Sequence, residues 1–205
     1  MEYKILTVEE IPEYLVHRSH FSPHGAKLDL GEIASIEEIG DGNLNLVFIV
    51  RAQSGAGVVL KQSLPYVRLV GPEWPMTPER ARIEATTTNI HAQVAPDLVP
   101  LVYDFDPERY IIAMEDLSDH VVWRTALNNG QHFVGVAADM GEYVAKVAFG
   151  TSIFSVDTET MALRKQHAQN PDLCSITEDL VFTEPYGESD RNSYLDANAP
   201  DAAAI

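Results

Sequence analysis

The chain carries one cysteine, Cys174, among 205 residues. A single thiol excludes a disulfide framework and any multi-cysteine metal site, and it suits a reducing compartment. Cations are scarce as well: 14 Lys and Arg stand against 31 Asp and Glu, for a net charge of −17. Such a surface repels a phosphate backbone and anionic lipid, so neither nucleic acid nor a membrane surface is an expected partner. Long apolar runs are missing too. None reaches the roughly 20 residues that span a bilayer, and the opening MEYKILTVEEIPEYLVHRSH scatters acids where a signal peptide needs an uninterrupted apolar segment. A cytoplasmic protein is expected. Apolar residues themselves are plentiful, at 45% of the chain, which is enough core for one domain or two small lobes.

The chain has no internal repeat, but its character changes near residue 117. Before that point strand signals dominate. Residues 44–51 and 58–62 are rich in Val, Leu and Ile, and AQSGAG (Ala52 to Gly57) supplies turn residues between them, which predicts a β-hairpin. A helix is expected after Trp74, with Thr77 as its N-cap, Pro78 as its first residue and Ile83, Thr87, Ile90 and Val94 as its apolar stripe. LVPLVYDFD and YIIAMEDL read as two more strands joined by a tight turn at Asp106, Pro107, Glu108 and Arg109. After Leu117 the pattern is helical. Phe133, Ala137, Met140, Val144 and Val147 predict a core-facing helix over roughly Gln131 to Phe149. The final stretch is polar and small, which predicts a flexible end.

Three places carry chemistry. In EIGDGNLNLVFIV, Gly40 and Gly42 allow positive φ and bring backbone amides close to an anion with no side chain in the way. This loop leads into a strand, whereas dinucleotide fingerprints and Walker loops lead into a helix and use its N-terminus. A glycine loop inside an antiparallel hairpin is how protein kinases cover nucleotide phosphates, although a G-x-G between strands is by itself more often a plain turn. Lys61 lies on the second hairpin strand directly after Val58, Val59 and Leu60. It is either an edge-strand lysine with its head in water or a kinase-type lysine that holds α- and β-phosphates and is oriented by a helix glutamate. The helix offers Glu79 and Glu84. Glu84 follows Ile83 of the stripe and is favoured, because Glu79 sits in the first turn, where an acid simply complements the helix dipole. Third, Glu115, Asp116 and Leu117 follow a buried strand where a kinase hinge would hang an adenine ring from its backbone; an ordinary strand end would also look like this.

The runs EIGDGNLNLVF, KQSLPYVRLVG, EWPMTPERARIE, MEDL and NPDLCSITEDLVFTEP resemble the S-methyl-5-thioribose kinases, a family of methionine salvage with a protein-kinase-like fold. The likeness covers roughly residues 36–186. It implies an ATP site in which Asn45 contacts the nucleotide, Lys61 holds phosphates and Glu115, Asp116 and Leu117 form the hinge. The implied reaction moves the γ-phosphoryl of ATP, with Mg2+, to the 1-hydroxyl of S-methyl-5-thioribose in a homodimeric enzyme. An asparagine amide at position 45 can donate to a phosphate or cap the loop's own backbone, which glycine cannot do.

The chain also departs from that pattern. The family places its acceptor-orienting and metal-holding carboxylates after the hinge, in an HGDLHTGS-like loop and a following DPE, and this chain has no HGD. Its one DPE, Asp106 to Glu108, precedes the hinge in a strand turn and is rejected as a metal site. No catalytic residue is therefore assigned. The expectation is an α+β, protein-kinase-like chain with an N-terminal nucleotide-binding lobe over 1–117 and the incomplete beginning of a helical lobe over 118–205, inactive by itself. A non-catalytic nucleotide-binding or interaction module is the alternative from another class, and a kinase of the aminoglycoside or choline type the alternative within it. His17, His20 and His24 lie close in sequence but lack a carboxylate or cysteine among them, so a solvated loop is expected there rather than a metal site. Trp74 is expected to pack on the sheet, with a lid over the nucleotide as its other possible role.

Overall fold

The computed structural model describes residues 3–18, 31–40, 42, 44–68 and 70–187. The chain divides into two compact units, Met1–Gln169 and Asn170–Ile205.

The strands of the first unit are β1 (Ile33–Glu38), β2 (Asn45–Ala52), β3 (Gly57–Ser63), β4 (Tyr66–Val67), β5 (Gly71–Pro75), β6 (Val102–Asp106) and β7 (Ile111–Glu115). Five of them form an antiparallel sheet in the order β1-β2-β3-β7-β6, and β4 pairs with β5 in a separate ribbon. The expected hairpin is β2 and β3, with Asn45 opposite Ser63 and Arg51 opposite Gly57. Its turn places Gly55 at φ 88°, a left-handed conformation that costs glycine little. The turn between β6 and β7 is held by Asp106, whose Oδ1 accepts from the amides of Glu108 and Arg109 at 2.9 and 3.2 Å.

Side chains alternate across the sheet with period two. On β3 the buried set is Val58, Leu60 and Gln62, and the half-exposed set is Gly57, Val59 and Lys61. The main core lies on the first of these faces, where Phe48, Val50, Val58, Leu60, Ile111 and Ala113 are covered by Leu6, Ile11, Tyr14 and Leu15. Each large side chain buried there contributes about 1.5–3 kcal/mol. Ile11, Tyr14 and Leu15 belong to helix α1 (Ile11–His17), an element the sequence reading did not assign. Gln62 ties that covering segment down. Its Oε1 accepts from the Leu6 amide at 2.8 Å, and its Nε2 donates to the carbonyls of Lys4 and Arg109 at 2.9 and 3.0 Å.

Helix α2 (Arg80–Val94) packs on the opposite face. It starts two residues after the expected Pro78, because the Pro78 carbonyl first accepts from Ala81 in a tighter turn, 3.0 Å, before the helical ladder begins. Thr77 Oγ1 accepts from the Glu79 amide at 3.3 Å. The sheet-facing residues are Ala81 and Ala85, packed with Ile112, and the expected stripe of Ile83, Thr87, Ile90 and Val94 is only half-buried. Two methyl side chains let the helix axis come close to the strands, which larger residues at those positions would prevent.

The helices that follow are α3 (Trp123–Asn128), α4 (Val136–Gly150) and α5 (Thr158–His167). The expected helix from Gln131 begins only at Val136, since Gly130 at φ 69° and Gly135 at φ 100° break the path before it. Its expected core-facing stripe is overturned: Phe133, Met140 and Val144 are 47, 46 and 58% exposed. The packed line is Tyr143, Val147 and Gly150, next to the expected one and sharing Val147 with it. The Tyr143 hydroxyl shares a 2.8 Å hydrogen bond with His91 Nδ1, and Gly150 sits so close to Val94 that a Cβ there would lie 2.5 Å from Val94 Cγ1. Periodicity marks an apolar face without saying which neighbour covers it.

The second unit contains α6 (Pro171–Glu178), a π-helical turn (Asp179–Thr183) and a 3-10 turn (Glu184–Tyr186). Cys174 is exposed on α6. Among the described residues no helix is long and apolar enough to cross a membrane. The chain is thus α+β, and a five-stranded antiparallel sheet with α1 on one face and α2 on the other is compatible with the N-terminal lobe of a protein-kinase-like fold.

Candidate functional site

The loop between β1 and β2 closes by continuing their ladder, the Ile39 amide donating to the Val47 carbonyl at 2.8 Å. The expected positive φ is not found at Gly40 or Gly42. Gly42 is required for a different reason. A Cβ there would lie 2.9 Å from the Asn45 carbonyl oxygen, so the loop folds back on the first residue of β2 too tightly for any side chain. Gly40 has open space around it. Asn45 is fixed at the loop's end by its own amide oxygen, which accepts from Ser63 Oγ and from Arg80 Nη2, both at 3.1 Å.

Lys61 lies opposite Val47 on β2 and Ile112 on β7. Its ammonium meets Glu84 Oε1 at 2.5 Å, with the two side chains 25 and 35% exposed. Glu79 is occupied elsewhere and pairs with Arg82 at 2.7 Å. The register also puts Asn45, Val47, Ile49, Val59, Ser63 and Met114 on the same sheet face as Lys61. Val47, Ile49, Val59 and Met114 are half-buried. A polar end near the loop and an apolar stretch toward β7 therefore share one face, which suits a ligand with a charged tail and a flat apolar body.

At the far end of β7, the segment expected as a hinge is braced from two sides. The Glu115 amide donates to the Leu101 carbonyl at 2.9 Å, and Glu115 Oε2 accepts from the Leu101 amide at 3.0 Å. Asp116 Oδ2 accepts from Arg51 Nε at 3.2 Å, and its Oδ1 accepts from the amide and hydroxyl of Ser118. Burial pushes the Asp116 carboxyl up, but the Ser118 hydrogen bonds and the Arg51 guanidinium together outweigh it and hold the group below the usual carboxylate range. Gly57 admits this arrangement, since a Cβ there would lie 2.6 Å from Asp116 Oδ2. Leu117 is partly exposed, and its carbonyl accepts from the His120 amide at 2.9 Å. The side chains of Glu115 and Asp116 thus anchor this segment to Leu101, Arg51 and Ser118. An open cavity of about 670 Å³ beside them is lined by Arg51, Gly57, Tyr103, Glu115, Asp116 and Asp119, but Lys61 and the glycine loop take no part in it.

Sequence reasoning missed Arg80, Ser63, Arg51 and Gly57. Only Arg80 offered a signal, standing four residues before Glu84 and so on the same helix face. Asp106 is a turn residue whose second oxygen accepts from the Tyr14 hydroxyl at 3.1 Å. His17 closes α1 and stands 3.7 Å from Glu13, whereas His20 and His24 lie outside the described residues. Trp74 is half-buried on β5.

No family model matches the chain. Among curated proteins, it is 46% identical over 174 residues to a methylthioribose kinase of Pectobacterium carotovorum subsp. carotovorum, covering 84% of this chain and 44% of that protein. It is 41% identical over 204 residues to the methylthioribose kinase of Pectobacterium atrosepticum, covering 99% of this chain and 50% of the relative. The Citrobacter koseri protein of the same name is 40% identical over 205 residues, 100% of this chain and 50% of its own length. The chain spans about half the length of the curated relatives it matches.

Proposed function

By sequence the chain belongs to the methylthioribose kinase family over the stretch it shares with its relatives, and from that premise we propose that it is the nucleotide-binding part of an enzyme that transfers the γ-phosphoryl of ATP to the 1-hydroxyl of S-methyl-5-thioribose. The observation that carries the reading is the Lys61–Glu84 pair, set on the half-exposed sheet face that Lys61 shares with Asn45. In this reading the Lys61 ammonium meets the α- and β-phosphates and Glu84 keeps it in place. The loop amides around Gly40 and Gly42 approach the phosphates, Asn45 donates to them, and Val47, Ile49, Val59 and Met114 receive the adenine ring. Backbone groups of Glu115, Asp116 and Leu117 hydrogen-bond its edge.

The lobe boundary belongs near residue 117, with 118–205 beginning the helical lobe, in a cytoplasmic protein that pairs as a homodimer. Phosphoryl transfer also uses Mg2+ and a carboxylate that orients the acceptor. Among the described residues no three His, Cys, Asp or Glu side chains group to hold a metal ion, so no step through magnesium is assigned to them. The test is calorimetry with ATP on purified 1–205, together with an ADP-release assay in which S-methyl-5-thioribose is the acceptor. ATP binding without sugar-dependent turnover is expected. A folded chain that does not bind ATP overturns the reading. Turnover by this chain alone would overturn the assignment of no catalytic carboxylate to it. Asp104, Asp106 and Asp119, which contact Arg18, Tyr14 and His120, would then be the first acids to mutate.

A further inference from the structure

Arg80 is 6% exposed, and its guanidinium joins three separate segments through four acceptors. Nη1 donates to the carbonyls of Leu64 and Thr77 at 2.7 and 2.8 Å, and Nη2 donates to the Leu44 carbonyl at 2.7 Å and to Asn45 Oδ1 at 3.1 Å. All four acceptors are neutral oxygens, and the buried Nε has no partner. A cation buried this deeply among uncharged acceptors is costly, which points to a use beyond packing. Burial accordingly pushes the Arg80 pKa down, against the pull of the Tyr3 and Glu84 oxygens.

We propose that Arg80 is a positioning residue of the nucleotide site, one that turns the Asn45 amide so that its oxygen faces inward and its NH2 group faces the nucleotide phosphates. A guanidinium has donors only, so the Asn45 atom that meets it must be the carbonyl oxygen. The Ser63 hydroxyl donates to that same oxygen, which gives two donors converging on Oδ1. Nδ2 is then directed away from Arg80, and Asn45 shares its sheet face with Lys61. Arg80 and Glu84 stand one helical turn apart on α2, so adjacent turns of one helix hold Asn45 through the first and Lys61 through the second. The bond to Leu44 also fixes the last residue of the loop. The glycine loop, Asn45 and the lysine thereby take their relative positions from a single rigid element.

This proposal rests on the nucleotide-binding reading above, and its test separates the two. Asn45→Asp keeps an oxygen toward Arg80 and gives the buried cation a carboxylate, but it replaces the outward donor with an acceptor that repels phosphate. Thermal unfolding should therefore stay at or above the wild-type temperature. Calorimetry should show ATP weakened by about tenfold or more, the size of a lost hydrogen bond to a charged group, with adenosine within about twofold of wild type. Arg80→Lys cannot reach both pairs of acceptors with one ammonium, and it should weaken ATP about tenfold while sparing adenosine. Unchanged ATP binding by N45D overturns the proposal, as does equal loss of both ligands in R80K, which would make Arg80 a purely structural residue. N45D retains the Arg80 bond and so decides the question even where R80K does not fold. A folded wild-type chain that fails to bind ATP overturns the site reading itself and this proposal with it.

Discussion

Lys61→Ala separates what the lysine contributes to folding from what it contributes to a ligand. Its ammonium lies 2.5 Å from Glu84 Oε1, and the two side chains are 25 and 35% exposed, between the surface and the core. Exposed ion pairs are worth about 0.2–1 kcal/mol and hydrogen bonds to charged groups about 1.5–3 kcal/mol, so losing this partly wet pair should cost folding about 1–2 kcal/mol. Glu84 can rehydrate after the change, which keeps the figure from rising to that of a fully buried charge left alone. That cost falls on every ligand equally, through the folded fraction only. A phosphate contact falls on ATP alone. One charge-assisted hydrogen bond is again about 1.5–3 kcal/mol, or about 10- to 150-fold in Kd. Calorimetry on folded Lys61→Ala should then show ATP weakened within that range and adenosine changed by about twofold at most. Raising the salt concentration should weaken ATP binding more in the wild type than in the variant, since the variant lacks the charge that ions screen. Equal losses for ATP and adenosine, or parallel salt dependences, would refute the argument and leave Lys61 as a strand residue that supports the fold.

Gly57→Ala puts a methyl 2.6 Å from Asp116 Oδ2 and 2.9 Å from its Cβ, so it should cost about 1–3 kcal/mol of stability by overpacking and, in the proposed site, weaken adenosine and ATP alike; an unchanged melting temperature would show that the Asp116 side chain gives way freely. Gly150→Ala forces α4 away from Val94 and should destabilise by a similar margin, about 1–3 kcal/mol, and adding Val94→Ala should return roughly half of it, since the two positions share one contact. Asp116 has its carboxyl held below the ordinary range, so its contribution to stability is present above the unfolded value near pH 4 and is lost as pH falls through the lower folded value. Melting temperatures measured from about pH 6 to pH 2 should fall less steeply for Asp116→Asn than for the wild type below about pH 4, and coincident slopes would contradict the role given to Arg51 and Ser118.

Local chemistry was legible along the chain. The hairpin of β2 and β3 follows from two β-branched runs around a glycine turn, and the place of Lys61 after three apolar residues marked it as either an edge-strand lysine in water or a paired one, which the Glu84 contact decided. Glu84 came ahead of Glu79 because it follows Ile83 while Glu79 sits in the first turn, where an acid complements the helix dipole, and a DPE in a strand turn had an ordinary explanation in Asp106 holding the turn's amides. These depend on periods of two or four residues and on the conformations that glycine, proline and aspartate favour, and such forces act within a few residues.

Tertiary structure decided the matters that depend on distant neighbours. Which face of α2 meets the sheet was settled by closeness of approach, so that Ala81 and Ala85 outcompeted the larger Ile83 and Ile90. The reason for glycine at position 42 was the Asn45 carbonyl and not a backbone angle. The apolar stripe on α4 was plain in the sequence, yet whether anything packs against it was not, and Tyr143, Val147 and Gly150 carry the contact with α2 instead. Arg80 is the sharpest case. Its four acceptors come from Leu44, Asn45, Leu64 and Thr77, and a guanidinium buried among carbonyls exists only once the loop, the end of β3 and the start of α2 have been brought together, because no local pattern encodes a hydrogen bond between segments that the sequence holds apart.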